Sequence, residues 1–160
     1  MENVNFLKEF VLPNEKESNN PIYENYKHIL FPLSENKIEK INAIFSIPFE
    51  LKSFYEEIGY GFFYHSGNSF NRLLDPFSFK QINLREDFYE FDPDLELYEK
   101  YYKENKLIFF EVVEGVYLLI DKEDKDAKNS IYYFSKKIAD SLVEFLIRFN
   151  EDERYFTTLE

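Results

Sequence analysis

The chain has 160 residues, with 19 Lys+Arg against 31 Asp+Glu for a net charge of −12, no cysteine and 20% aromatic residues. That charge argues against nucleic acid or an anionic membrane as partner, since both are polyanions. The absence of thiols excludes disulfides and thiolate metal sites and fits a reducing compartment.

No stretch is long and apolar enough to span a bilayer, and the N-terminus MENVNFLKEF is not a signal peptide, so a cytoplasmic protein is expected. The length suits one globular unit. Within it, residues 1–33 read as an N-terminal extension packing on an α+β domain of residues 34–160. In the extension, Phe6, Phe10 and Val11 suggest a short helix face ending before Pro13, and residues 14–20 a polar loop. Ile22, Tyr26, Ile29 and Leu30 have helical spacing, stopped by Pro32. Ser34 is an N-cap with Glu35 in the first turn, and Ile38, Ile41, Ile44 and Phe45 make the buried face of a helix running to about residue 45.

Residues 47–63, IPFELKSFYEEIGYGFF, predict a second helix running straight into an aromatic strand. Pro48 suits the first turn, Glu50 suits the helix dipole there, and Leu51, Phe54, Tyr55 and Ile58 fall on one face. Gly59 supplies the positive-φ stop and Gly61 opens a strand over 62–64. A turn at 65–69 follows, then a strand up to Leu74, a turn at Asp75 and Pro76 with a short element after it, and a polar loop over 85–91. Asp92 and Pro93 start a helix with Leu95, Tyr98, Tyr101 and Tyr102 on its face. Residues 107–113 and 116–121 form a hairpin turning at Glu114 and Gly115, apolar on both faces and so interior to the sheet. After a charged loop at 122–129 come a strand over 130–135 and a closing helix opened by the capping pair Ser141 and Glu144. Leu142, Phe145, Leu146 and Phe149 are its buried face, and a polar tail at 150–154 ends the fold. Helices, then mostly antiparallel strands, then a closing helix define the α+β class.

Catalytic signatures are missing. His28 and His65 are the only histidines, neither at HExxH spacing; His28 reads as helix-packed or exposed and His65 as a turn residue. There is no G-x-S-x-G elbow and no phosphate loop, and the GYG at 59–61 lacks the spacing of one. Asp121, Glu123, Asp124 and Asp126 lack the central glycine and distal glutamate of a calcium loop. No catalytic residue, metal or cofactor is expected, and a hydrolase reading would require two carboxylates held across a cleft.

Three places together resemble the SUKH superfamily, the Syd/Knr-type homology domain: IPFELKSFYEEIGYG, NRLLDPFSF, and LIFFEVVEGVYLLIDKED followed by IADSLVEFL. The resemblance covers residues 34–149 and implies a bacterial immunity protein that neutralises a cognate toxin by direct contact, or else a general intracellular protein-interaction domain of the same fold. Under it the partner is a protein, a basic nuclease-type toxin being the natural match for an acidic inhibitor, and the chain is a monomer or weak homodimer. The candidate contact surface is the charged loop, through Asp121, Glu123, Asp124 and Asp126, with Asp92, Asp94 and Glu96 as a second patch and any exposed Phe or Tyr among them as anchor.

Overall fold

The computed structural model describes residues 2–67 and 70–157. Its frame is an antiparallel sheet of seven strands in chain order: β1 (Ile29–Phe31), β2 (Tyr60–Phe62), β3 (Arg72–Leu73), β4 (Lys106–Val113), β5 (Val116–Asp121), β6 (Ile131–Tyr133) and β7 (Lys136–Ala139). The helices are α1 (Glu35–Asn42), α2 (Phe49–Glu57), α3 (Pro76–Leu84), α4 (Glu99–Lys103) and α5 (Leu142–Glu151), with short 3-10 segments between them. This is the expected α+β class, and among the described residues no helix is long and apolar enough to cross a membrane.

The hairpin β4–β5 is the centre. Leu107 to Phe110 and Tyr117 to Ile120 are all buried. Along β5 successive residues point to opposite faces, so both faces of the sheet are covered here, while a bulge between Ile108 and Phe110 brings Phe109 and Phe110 both against Phe145. On one side of it the rings of Phe63, Phe110, Phe145 and Phe149 interlock at centroid distances of 5.2–5.9 Å. α2 buries Leu51, Phe54, Tyr55 and Ile58, the face its spacing predicts, and stops at Gly59 with φ +129°. A side chain at Gly59 would collide with the Phe31 carbonyl 1.8 Å from its Cβ position, so this glycine also lets β1 approach. α5 buries its predicted face, and the Ser141 Oγ accepts from the Glu144 N–H at 3.0 Å.

Several expectations change. Residues 22–30 do not form a helix: Pro21–Tyr23 is one 3-10 turn and Ile29–Phe31 is an edge strand paired to β2. The apolar residues there serve a ladder, and spacing in so short a run does not separate the two periods. The first helix face is a 3-10 helix, Glu2–Phe10, whose deepest residues are Val4 and Leu7. The loop at 14–20 contains a 3-10 turn, Glu15–Asn19, with nothing buried. α1 ends at Asn42, which leaves Ile44 exposed. β2 begins at Tyr60, so Gly61 lies inside it, 2.3 Å from the Ile29 carbonyl by its Cβ position. Of the expected turn at 65–69, Asn68 and Ser69 lie outside the described residues.

Asp75 and Pro76 open a nine-residue helix, not a turn: Asp75 Oδ2 accepts from the Ser78 N–H at 3.2 Å and the proline takes the first helical position. Asn83 of α3 continues the β4 ladder where β3 has ended, exchanging bonds with both the N–H and the carbonyl of Ile108 at 2.8 Å. The expected strand over 130–135 is shorter, β6 at Ile131–Tyr133, and turns through Phe134 at φ +54° into β7, a strand not expected from sequence. The polar tail is not the end: Tyr155 and Phe156 fold back into the core. Tyr155 Oη donates at 2.8 Å to the carbonyl of Ile138, the residue the β6–β7 register skips.

Candidate partner-binding surface

Two acidic regions stand at opposite ends of the β4–β5 hairpin. The loop after β5 is a small hairpin of its own. Asp126 and Ala127 are both left-handed, at φ +53° and +63°, and Lys125 and Lys128 exchange backbone bonds at 2.8 and 3.1 Å. Its carboxylates are partly used internally. Asp124 Oδ2 accepts from the Ala127 N–H at 3.3 Å, and Asp121 accepts from the Tyr132 hydroxyl at 3.1 Å. Burial pushes the Asp121 carboxyl up, against the opposing pull of the Tyr132 hydrogen bond and Lys106. Glu123 and Asp126 are exposed. Residues 121–128 hold four carboxylates but also three lysines, so the loop is nearly neutral.

The loop is tied down at its end by Asn129, which is fully buried. Its Oδ1 accepts from the Glu50 N–H at 2.9 Å, its own N–H donates to Glu50 Oε1 at 2.5 Å, and its Nδ2 donates to the Asp121 carbonyl at 3.0 Å. Glu50 Oε1 also accepts from the Leu142 N–H at 2.9 Å, and Oε2 from the Val143 N–H at 3.4 Å. A carboxylate in the first turn of α2 therefore fills the N-terminus of α5, where unpaired N–H groups and the helix dipole favour a negative charge. Sequence reading placed Glu50 in the field of its own helix; its partners lie 79–93 positions away, and no local pattern marks them.

The other region follows α3. Residues 85–96 carry six carboxylates and one arginine. The chain leaves α3 through two left-handed residues, Arg85 at φ +56° and Asp87 at +49°. For non-glycine residues such a conformation costs roughly 1–2 kcal/mol each. It is held by specific bonds: Arg85 turns inward, its Nη1 donating to the Ile82 carbonyl and its Nη2 to that of Leu95 at 3.3 Å. Gln81 Nε2 donates to Asp87 Oδ2 at 2.7 Å, and Lys80 pairs with Glu86 at 2.8 Å. On this base Asp87–Tyr89 makes a 3-10 turn within the expected loop, and Phe88 and Phe91 project outward, 85% and 87% exposed.

Asp92 caps the next 3-10 helix, Pro93–Tyr98, by accepting from the Asp94 N–H at 2.9 Å. Leu95, Tyr98 and Tyr101 are buried as expected, whereas Tyr102 is exposed. The Tyr98 hydroxyl accepts from the Tyr117 N–H at 3.0 Å and fixes this segment to β5. Asp94 lies over the hairpin turn, 2.8 Å from the Cβ position of Gly115, whose φ of +80° also calls for glycine. Two hollows flank the ridge. One of about 590 Å³ has Phe70, Phe88 and Phe91 with Asp94 and Glu114 around it, and Arg72 opposite Glu111 among its walls. The other, about 490 Å³, is lined by Phe91, Glu90 and Glu96. Half-buried Glu111 is pushed up by burial, with Arg72 opposing.

Thus Asp92, Asp94 and Glu96 come together on one ridge, and Asp121, Glu123, Asp124 and Asp126 lie in the loop at the far end of β5. Phe88, Phe91 and Glu114 were not singled out from sequence. The signal that could have found them is two phenylalanines in a run otherwise dense in carboxylates, DFYEFDPD. His28 is neither helical nor exposed. It is fully buried, its Nδ1 accepting from the Tyr64 N–H at 3.0 Å and its Nε2 bonded to Asn150 Oδ1 at 2.7 Å. His65 lies in the turn expected for it. Among the described residues no three His, Asp or Glu side chains gather as a metal site.

The chain carrying this sheet and these helices belongs to the SMI1/KNR4 family (SUKH-1), whose pattern matches residues 32–148. The chain is also 40% identical over 144 residues to immunity protein YxxD of Bacillus subtilis (strain 168), spanning 89% of this chain and 97% of that protein. No solved structure matches it.

Proposed function

We propose that the protein is an immunity protein: it binds a cognate toxin in the cytoplasm and blocks it by occupancy, with no catalytic step and no cofactor. The similarity to immunity protein YxxD over nearly the full length of both chains is the observation that carries this reading. The −12 charge supports a basic toxin, such as a nuclease whose groove is built for a polyanion. The contact surface belongs to the acidic carboxylates named above: Asp92, Asp94 and Glu96 on the ridge, with Asp121, Glu123, Asp124 and Asp126 in the loop as the alternative. The test is co-expression with the product of the gene immediately upstream. Growth in its presence, and co-purification of the two chains, are expected; toxicity undiminished by this chain, with no co-purification, would count decisively against immunity.

A further inference from the structure

We infer that the aromatic ridge at 88–91, with the hollow between it and the β4–β5 turn, is the surface that receives the partner, and that it receives an arginine or lysine side chain of a basic protein. The inference rests on the immunity reading for the partner's identity, but the surface itself is argued from geometry. Phe88 and Phe91 are 85% and 87% exposed, and Phe70 beside them is 50% exposed. Large apolar groups clustered around one concavity are what a partner covers.

Their support is tied to the fold. Arg85, Gln81 and Lys80 hold the chain beneath them by side-chain bonds, so little ordering remains to be done on binding. Charge selects the occupant. The one arginine of residues 85–96 is turned inward onto carbonyls, while Asp94 and Glu114 face the hollow. Arg72 also lines the hollow, but against it stand Asp87, Asp92, Asp94, Glu111 and Glu114, so a cation entering there still finds an excess of carboxylates and the aromatic faces of the ridge, both of which attract it. A second copy of this chain would bring the same acidic ridge and meet like charge. The loop at 121–128 offers less, because its three lysines nearly cancel its carboxylates and two of those are engaged internally.

The test has two arms. In the first, the isotopically labelled full chain is titrated with a blocked hexa-arginine peptide and followed residue by residue by NMR. Saturable shifts centred on residues 87–94 and 114–117 are expected, weakened roughly tenfold or more in F88A/F91A, since both side chains are exposed and their loss leaves the core intact. Shifts centred on 121–128, spread evenly, or absent overturn the proposal. So does a homodimer that F88A/F91A dissolves. In the second arm, affinity for the co-expressed toxin is expected to fall at least ~30-fold in F88A/F91A and in D94K/E114K, the loss typical of a hot spot, and less than ~3-fold in D124K/D126K. The reverse ranking overturns the proposal. A wild-type chain that binds no toxin would sink the immunity reading, while the peptide titration still decides the surface.

Discussion

Whereas His65 lies exposed in a turn, His28 is sealed in the interior. It is packed among the rings of Phe10, Phe63 and Tyr64 at 4.8–5.1 Å, and burial lowers its pKa from 6.5 to about 4, with the Lys27 charge adding to the fall and the Asn150 bond opposing it. Protonation would also force Nδ1 to give up the Tyr64 N–H. Because the folded value lies below the unfolded one, the fold favours the neutral ring. The stabilisation is complete above pH 6.5 and is lost as pH falls towards 4, since the unfolded chain takes up the proton first. Between pH 7.5 and 5.5, above the ordinary carboxylate range, urea titrations should show a loss of about 1.4 kcal/mol from this group. The His28 ring should stay neutral to pH 5 in NMR titrations; a midpoint near 6.5 would refute the assignment.

Among elements, the junction of α2, α5 and the loop before β6 depends on one carboxylate. Glu50→Ala removes the acceptor for the N–H groups of Asn129, Leu142 and Val143 together. A loss of about 2–4 kcal/mol is expected by denaturant unfolding, the range for orphaned buried donors and a lost helix cap. Glu50→Gln, which keeps an oxygen, should recover part of it; an alanine variant within about 0.5 kcal/mol of wild type would contradict this account. Local sequence patterns do not reach this junction. The faces of α2 and α5 were legible because periodicity and caps are local, and so was the hairpin turning at Gly115. Asp75 and Pro76 carry the same opening signature as Asp92 and Pro93, but the preceding Leu73 and Leu74 drew the segment towards a strand. The ridge is legible in its carboxylates Asp92, Asp94 and Glu96 but not in Phe88 and Phe91, and neither the partners of Glu50 nor the burial of His28 is legible, because each is defined by residues distant in sequence or by exposure.

At the scale of the whole molecule, the excess of 31 carboxylates over 19 cations acts through its long-range field. Association with a basic toxin should therefore slow by roughly tenfold or more between low and ~0.3 M salt in stopped-flow measurements, with a much smaller change in dissociation rate. A salt-independent association rate would remove the case for a basic partner. The field surrounds the molecule, and on the proposed reading the ridge is where it meets the partner. The shape of the ridge is set beneath it, by Arg85 on the Ile82 and Leu95 carbonyls and by Gln81 on Asp87. Positions 88 and 91 carry none of that burden. Both side chains are more than four-fifths exposed, so on the proposed reading a lineage of such proteins could follow a changing adversary by rewriting two letters at little cost to the frame beneath.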